Sequence, residues 1–431
     1  MKKKTIYLSL SADIIHTGHL NIIKKAKNYG NVIVGLLTDK AISENKTIPL
    51  INYEQRFQIV KNLKYVSKIV KQNEWDDTIN LKKIKPDFII HGDDWKKGPQ
   101  KKFREKVIKF SKKFGIKFIE IPYTKKISSS LIQKKIKNIY LHRESRVSIL
   151  KRLIESKKIV RVLESHSALT GLIIENLSIN KNNKIQTFDV MWSSSLTDST
   201  LRGKPDNQSV DYSTRISGLN EIMDVTTKPV IFDGDNGGRI EHIKFLVRSL
   251  ERAGVSALVL EDKSGLKKNS LYKNQSGVKQ ESIVKFSKKL KAAAQAKILN
   301  DFFIVARIES FILGKNLNDA IKRAEAYVKS GADAILIHSK SENPNEIFSF
   351  SRVFLKSKYY RPIIVVPSTY SKTLEKDLIK NGIKVVIYAN HMLRASYPAM
   401  IAAAKSILVN QRAAKIEKNI TPIGQILDLI K

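Results

Sequence analysis

The chain has 431 residues, 42% apolar and 27% charged, which is the composition of a globular protein of two or three domains. Eleven prolines and nineteen glycines exclude a low-complexity chain, and the basic start Met1–Lys4 meets Asp13 and His16 within a dozen residues, so neither an export signal nor a membrane span is expected. With no cysteine, disulfides, thiolate metal sites and thiol nucleophiles are excluded, and a cytoplasmic location is the expectation.

The net charge of +38 first suggests nucleic acid, and residues 1–140 carry half of it, +19. The lysines are nevertheless scattered among Asn and Ile along the whole chain. That pattern favours biased composition and phosphorylated small molecules over nucleic acid, with a basic nucleic-acid-binding protein bearing a vestigial barrel kept as the rival class.

In chain order, strand-like runs at 5–12, 32–38, 69–70, 88–91 and 117–121 alternate with helical spacing at 20–29 and with lysine-faced amphipathic segments at 53–63 and 100–114. Such alternation predicts a parallel α/β sheet, a Rossmann-like domain over residues 1–140. A helix with Val147, Leu150 and Ile154 on one face opens a second domain, residues 141–431. There, eight strand-like runs, each followed by a helical segment, start at Ile159, Thr187, Pro229, Ala257, Phe302, Ala334, Pro362 and Lys384. The count and size are those of a (β/α)8 barrel. Directly after these runs stand Glu164 and His166, Trp192 and Ser194, Asp233 and Asp235, Glu261 and Asp262, Arg307 and Glu309, His338, Ser368 and Asn390. A barrel would bring them to its C-terminal rim as one active site.

Two motifs carry chemistry. The first, Asp13-Ile14-Ile15-His16-Thr17-Gly18-His19, joins the first strand to the first helix, where amides and the helix dipole favour phosphate. Both histidines can donate to triphosphate oxygens and to charge developing at the α-phosphorus, although H-x-G-H alone also fits two histidines that merely start a helix. Together with Gly35 to Asp39, Arg56, His91 to Trp95 and Ile127 to Ile132, the segment resembles the glycerol-3-phosphate cytidylyltransferase family across residues 4–137. The resemblance implies CTP as a substrate, His16 and His19 at the transition state, and Lys46, Arg56, Ser128 and Ser129 on the triphosphate. Tyr123-Thr124-Lys125-Lys126 stands where that family has R-T-E-G, which points to an acceptor other than glycerol 3-phosphate. Class I aminoacyl-tRNA synthetases share H-x-G-H, but a domain of this size with no K-M-S-K-S equivalent does not suit them.

The second motif is Glu261-Asp262-Lys263-Ser264-Gly265-Leu266-Lys267-Lys268-Asn269-Ser270-Leu271, on a loop able to close over an anion. With Asp233 and Asp235 after the preceding strand it offers oxygen ligands for Mg²⁺. Along with Trp192, Ser194, Ser195, Leu196, Asp206, Arg307 and His338, it resembles phosphoenolpyruvate mutase of the isocitrate lyase superfamily over residues 145–410.

That resemblance implies isomerisation of phosphoenolpyruvate to phosphonopyruvate. Asp233, Asp235 and Glu261 would hold Mg²⁺, and Arg307, His338 and Asn269 the moving phosphoryl group. Ser194, Ser195 and Leu196 would hold the enolate, with Trp192 against its face. Asp206 would orient its neighbours, while Lys267, Asn269, Ser270 and Leu271 gate the site. It also implies a dimer or tetramer that exchanges the last helix. A phosphonopyruvate hydrolase barrel with a polyol-phosphate cytidylyltransferase domain stays as the alternative, less favoured because the hydrolase typically lacks the loop asparagine. Lyases of the superfamily need a loop cysteine, which this chain does not have. The combined expectation is phosphonate biosynthesis, with a phosphonate such as 2-hydroxyethylphosphonate as the cytidylyl acceptor.

Overall fold

The structure, a computed structural model, describes residues 4–96, 100–122, 143–181, 184–272 and 274–429. The expected boundary near residue 141 lies outside the described residues.

The first domain is a five-stranded parallel sheet of β1 (Thr5–Leu10), β2 (Asn31–Leu37), β3 (Val66–Gln72), β4 (Phe88–Gly92) and β5 (Lys117–Ile121), in the order β3-β2-β1-β4-β5. The near-continuous apolar runs of β1 and β2 reflect burial on both faces, as helices demand of a parallel sheet. The strand order reverses between β1 and β4, and the crevice at such a switch point is where ligands bind. Tyr7 is fully buried in β1, and its hydroxyl donates to Gln72 Oε1 at 2.5 Å. Gly35 makes room for that pair, since a Cβ there would stand 1.9 Å from the Tyr7 oxygen.

All eight barrel strands form and close in order: β6 (Val160–Glu164), β9 (Val190–Ser193), β10 (Val230–Asp233), β11 (Ala257–Glu261), β14 (Phe303–Ile308), β15 (Ala334–Ile337), β16 (Ile363–Val365) and β17 (Val385–Tyr388), which returns to β6. Two departures come from short antiparallel ribbons. β7 (Ser178–Lys181) and β8 (Lys184–Thr187) form a hairpin that takes Thr187 out of the second barrel strand, and β12 (Lys263–Ser264) pairs with β13 (Lys279–Gln280) at the base of the gate loop.

Alternation along each strand divides the core. Val160, Val162, Val259, Leu336 and Ile387 fill the barrel, while Leu163, Phe232, Leu258, Ile335 and Val386 face the helices. The helix Arg143–Ser156 plugs the N-terminal mouth, adding Leu150, Leu153 and Ile154 to the interior cluster. The last helices, His391–Asn410 and Ile423–Asp428, bury no residue. Among the described residues no helix is long and apolar enough to cross a membrane.

Gly35→Ala should destabilise the chain by about 1–3 kcal/mol, the cost typical of an overpacked core. In urea denaturation the double change with Tyr7→Phe should lose less than the sum of the two single changes, because the clashing oxygen is gone.

Candidate active sites

The first candidate site lies at the C-terminal ends of β1 and β4, a cavity of about 290 Å³ lined by Ser11, His16, His19, Lys46, Trp75 and Trp95 among others. His16 caps the helix Thr17–Lys27: its Nδ1 accepts the Gly18 amide at 3.1 Å, while His19 Nδ1 accepts the His16 amide at 3.4 Å. The two rings stand 4.0 Å apart. With both Nδ1 lone pairs engaged, each neutral ring carries its proton on Nε2, the atom left to donate to a ligand. Burial lowers His16, and burial, His16 and Lys46 together bring His19 down to about 4. Lys46 lies 5.2 Å from the Trp75 ring centre, and His91 stacks on Trp95 at 3.5 Å.

Arg56 departs from its expected role on the triphosphate. It is fully buried, bonded to the Ser11 carbonyl and at 2.7 Å to Asp39, and it does not line the cavity. A helix position facing inward gave its guanidinium a structural partner instead of a ligand. Ser128 and Ser129 lie outside the described residues.

The second candidate site occupies the C-terminal rim of the barrel. Trp192, Ser194, Ser195, Leu196, Asp206, Asp233, Lys267, Asn269, Ser270, Leu271, Arg307 and His338 line one small cavity together. Asp235 and Glu261 sit just behind it, joined through Lys267 and through Arg307. Ser195 Oγ donates to Asp233 at 2.8 Å, and Ser194 caps the short helix that starts at Ser195. The gate loop is folded in: Lys267 contacts Ser195, Asp235 and, at 2.8 Å, Asp206, while Asn269 donates to Asp206 at 2.7 Å. Arg307 reaches Ser270 Oγ at 2.9 Å, His338 Nδ1 at 3.0 Å and Glu309 at 2.5 Å.

Not every rim residue converges. Asp262 turns outward to Arg323 at 3.1 Å and Tyr327 at 2.7 Å, and Glu164 accepts the Met392 amide at 3.2 Å at the start of the last long helix, with His166 held beside it at 2.8 Å. Sequence reasoning also missed Arg215, buried in the helix Tyr212–Val225, which donates to Asp198 at 2.8 Å and to the Asp233 carbonyl at 2.6 Å. No motif surrounds it; only its unusual place on an apolar helix face signals a buried role. Lys263, with its ammonium 3.6 Å from both Glu261 and Glu309, is a further buried charge of the site that its place in the loop motif does not reveal.

Charge balance decides what this rim can hold. With Arg215 and Asp198 compensating each other, Asp206, Asp233, Asp235, Glu261 and Glu309 face Lys263, Lys267 and Arg307, a formal surplus of two negative charges with every acid ionised. Burial drives Glu261 up to about 7 against Arg307 and Lys263, and neither of its oxygens has a hydrogen-bond partner. Burial, with Asp233 adding to it, also raises Asp235. Asp233 is pushed up by burial too, but Lys267, Arg307 and Arg215 together hold it at about 2. A divalent cation matches both the surplus and the hard oxygen donors. Among the described residues no three His, Asp or Glu side chains converge tightly enough to bind an ion directly. Asp233, Asp235 and Glu261 are the carboxylates that would hold such an ion, and it would supply positive charge to a bound anion.

A closed barrel with a buried carboxylate, arginine and histidine rim, joined to a nucleotide-type α/β sheet with paired histidines at its switch point, defines a two-site enzyme of phosphoryl and nucleotidyl chemistry. The phosphoenolpyruvate phosphomutase family model matches residues 150–408, and the cytidylyltransferase-like model matches residues 11–135. The chain belongs to the phosphoenolpyruvate phosphomutase family and carries a cytidylyltransferase-like domain ahead of it. A phosphoenolpyruvate phosphomutase of Tetrahymena pyriformis is 34% identical over 283 residues, 65% of this chain and 89% of that protein. An ethanolamine-phosphate cytidylyltransferase of Dictyostelium discoideum is 30% identical over 116 residues, 25% of this chain and 31% of that one. Among solved structures, a phosphonopyruvate hydrolase complex with oxalate and Mg²⁺ superposes with a TM-score of 0.58 at 27% identity, covering 66% of this chain and 94% of the other.

Because His19 is neutral down to about pH 4, a polyphosphate bound opposite it favours the imidazolium and raises its pKa. Pyrophosphate binding at pH 5.5 should therefore take up more protons in the native chain than in His19→Ala, compared by calorimetry in two buffers of different ionisation enthalpy. Equal uptake would contradict the placement of His19 against the ligand.

Proposed function

We propose that the barrel converts phosphoenolpyruvate to phosphonopyruvate and that the first domain transfers CMP from CTP to a phosphonate, with 2-hydroxyethylphosphonate as first choice. The observation that carries the barrel reading is the gate: Lys267 and Asn269 reach down from one loop onto Asp206 and Asp235, beside the Arg307–His338 pair. In this isomerisation the P–O bond to the enol oxygen breaks and a P–C bond forms at C3, with no net proton transfer. The protein's part is positioning and charge.

Arg307 and neutral His338, the latter lowered by burial and by Arg307, would hold the phosphoryl group between the two positions. Asn269 would help steer it, and Ser194, Ser195 and Leu196 would fix the pyruvate part against Trp192. Mg²⁺, held by Asp233 with Asp235 and Glu261, would supply positive charge for the enolate oxygen. Ser270 and Leu271 would close the loop over the site against water, and Asn269, which phosphonopyruvate hydrolase typically lacks, favours the mutase.

The acceptor follows from chemistry. Forming phosphonopyruvate is uphill, so later enzymes must draw it off, and a cytidylyltransferase fused to that step most economically acts on a later phosphonate. The exposed helix His391–Asn410, with Met400, Leu408 and Val409 in solvent, supports exchange of this helix with a second copy in a dimer or tetramer.

³¹P NMR of the chain with Mg²⁺ and phosphonopyruvate should show phosphoenolpyruvate; free phosphate would favour the hydrolase, and no change would exclude both. Asp233→Ala should abolish this turnover and leave nucleotidyl transfer intact, whereas His16→Ala or His19→Ala should cost transfer about 10²-fold or more and spare the barrel. With CTP and Mg²⁺, pyrophosphate release should be fastest with 2-hydroxyethylphosphonate, compared with 2-aminoethylphosphonate and glycerol 3-phosphate. Preference for glycerol 3-phosphate would overturn the pathway argument.

A further inference from the structure

We infer that Arg152, on the helix that plugs the barrel, is a positioning residue for nucleotidyl transfer: it clamps the loop that carries Lys46 into the first domain's cavity. The inference rests on the nucleotidyltransferase reading of that cavity.

Residues 44–52 contain no helix or strand, so their backbone groups need partners from elsewhere. Arg152 supplies them from the other domain, donating to the Pro49 carbonyl at 2.8 Å, the Leu50 carbonyl at 3.0 Å and Asp39 Oδ2 at 3.1 Å. The opposite side of the loop is tied to the histidine motif, where Asp13 Oδ1 accepts the Leu50 amide at 2.7 Å and the Ile51 amide at 3.3 Å. Asp39 completes the circuit, because its other oxygen takes Arg56 at 2.7 Å and Arg56 in turn bonds the Ser11 carbonyl.

Ile48 sits between these anchors, 8% exposed and packed into the barrel's interior cluster with Leu150, Leu153 and Ile154. Ser11, His16 and Lys46, which line the cavity, are thus within a few residues of atoms that the barrel helix fixes. The rigid fork of arginine suits three acceptors in fixed directions, which a lysine point charge does not reproduce. A loop released from this clamp leaves Lys46 free to move by an ångström or more, enough to cost one or two orders of magnitude in a reaction that depends on positioning.

The test uses the full chain. Arg152→Ala should raise KM for CTP and lower kcat/KM for nucleotidyl transfer about tenfold, leave mutase turnover unchanged at the far end of the barrel, and speed hydrogen exchange of the Leu50 and Ile51 amides. Arg152→Lys should recover part of the KM. Unchanged KM in Arg152→Ala, with or without faster exchange, would overturn the inference. Loss of both activities without recovery in Arg152→Lys would do so as well, by making the role one of fold stability alone. If the native chain transfers no nucleotide to any acceptor, the functional reading of the cavity fails, whereas the exchange of Leu50 and Ile51 still decides whether the clamp exists.

Discussion

Everything at the barrel rim depends on neutralising buried charge. Taking a carboxylate out of water without a partner costs several kcal/mol, and the rim acids Asp206, Asp235, Glu261 and Glu309 each stand beside a lysine or arginine. The match is uneven: Glu309 is held well below its ordinary range because Arg307, His338 and Lys263 together outweigh its burial, whereas burial pushes Glu261 up against the weaker pull of Arg307 and Lys263. That imbalance gives the rim the charge and the hard oxygen donors that suit a divalent cation. The same crowding places Lys267 among carboxylates, so the gate loop is drawn over the site by electrostatics as well as by its hairpin base of β12 and β13.

The other end of the barrel has the opposite character. Its mouth is closed by apolar residues of the helix Arg143–Ser156, and the first domain docks there through Ile48 and the Arg152 contacts. The two sites therefore lie at opposite ends of one barrel and share no residue. This separation fits the two reactions proposed above, which make different demands: buried charge at the rim for the one, and a crevice between β1 and β4 for the other.

Much of this was legible in the sequence. Strand number, the βα alternation and the clustering of acids and bases after the strands follow from period and punctuation, and those signals are local. The H-x-G-H motif and the gate loop were legible for the same reason, since their chemistry lies within a dozen residues. What eluded sequence reasoning was orientation. Arg56 looks like a phosphate ligand until it is found turned inward to Asp39, Asp262 looks like a rim acid until Arg323 and Tyr327 claim it, and Arg215 and Arg152 carry no motif at all.

By itself, then, the sequence determined the kinds of elements, their order, and which chemical groups each strand end presents, because hydrophobic period and short motifs are properties of neighbouring residues. The tertiary structure alone decided which of those groups meet. A side chain at a strand end points into the barrel or away from it according to a pleat that shifts by one residue, and a charge is a ligand or a strut according to which partner, often a hundred residues distant, reaches it first. Arg152 and Asp39, 113 positions apart, could be paired only by closing the barrel and setting the first domain against its mouth.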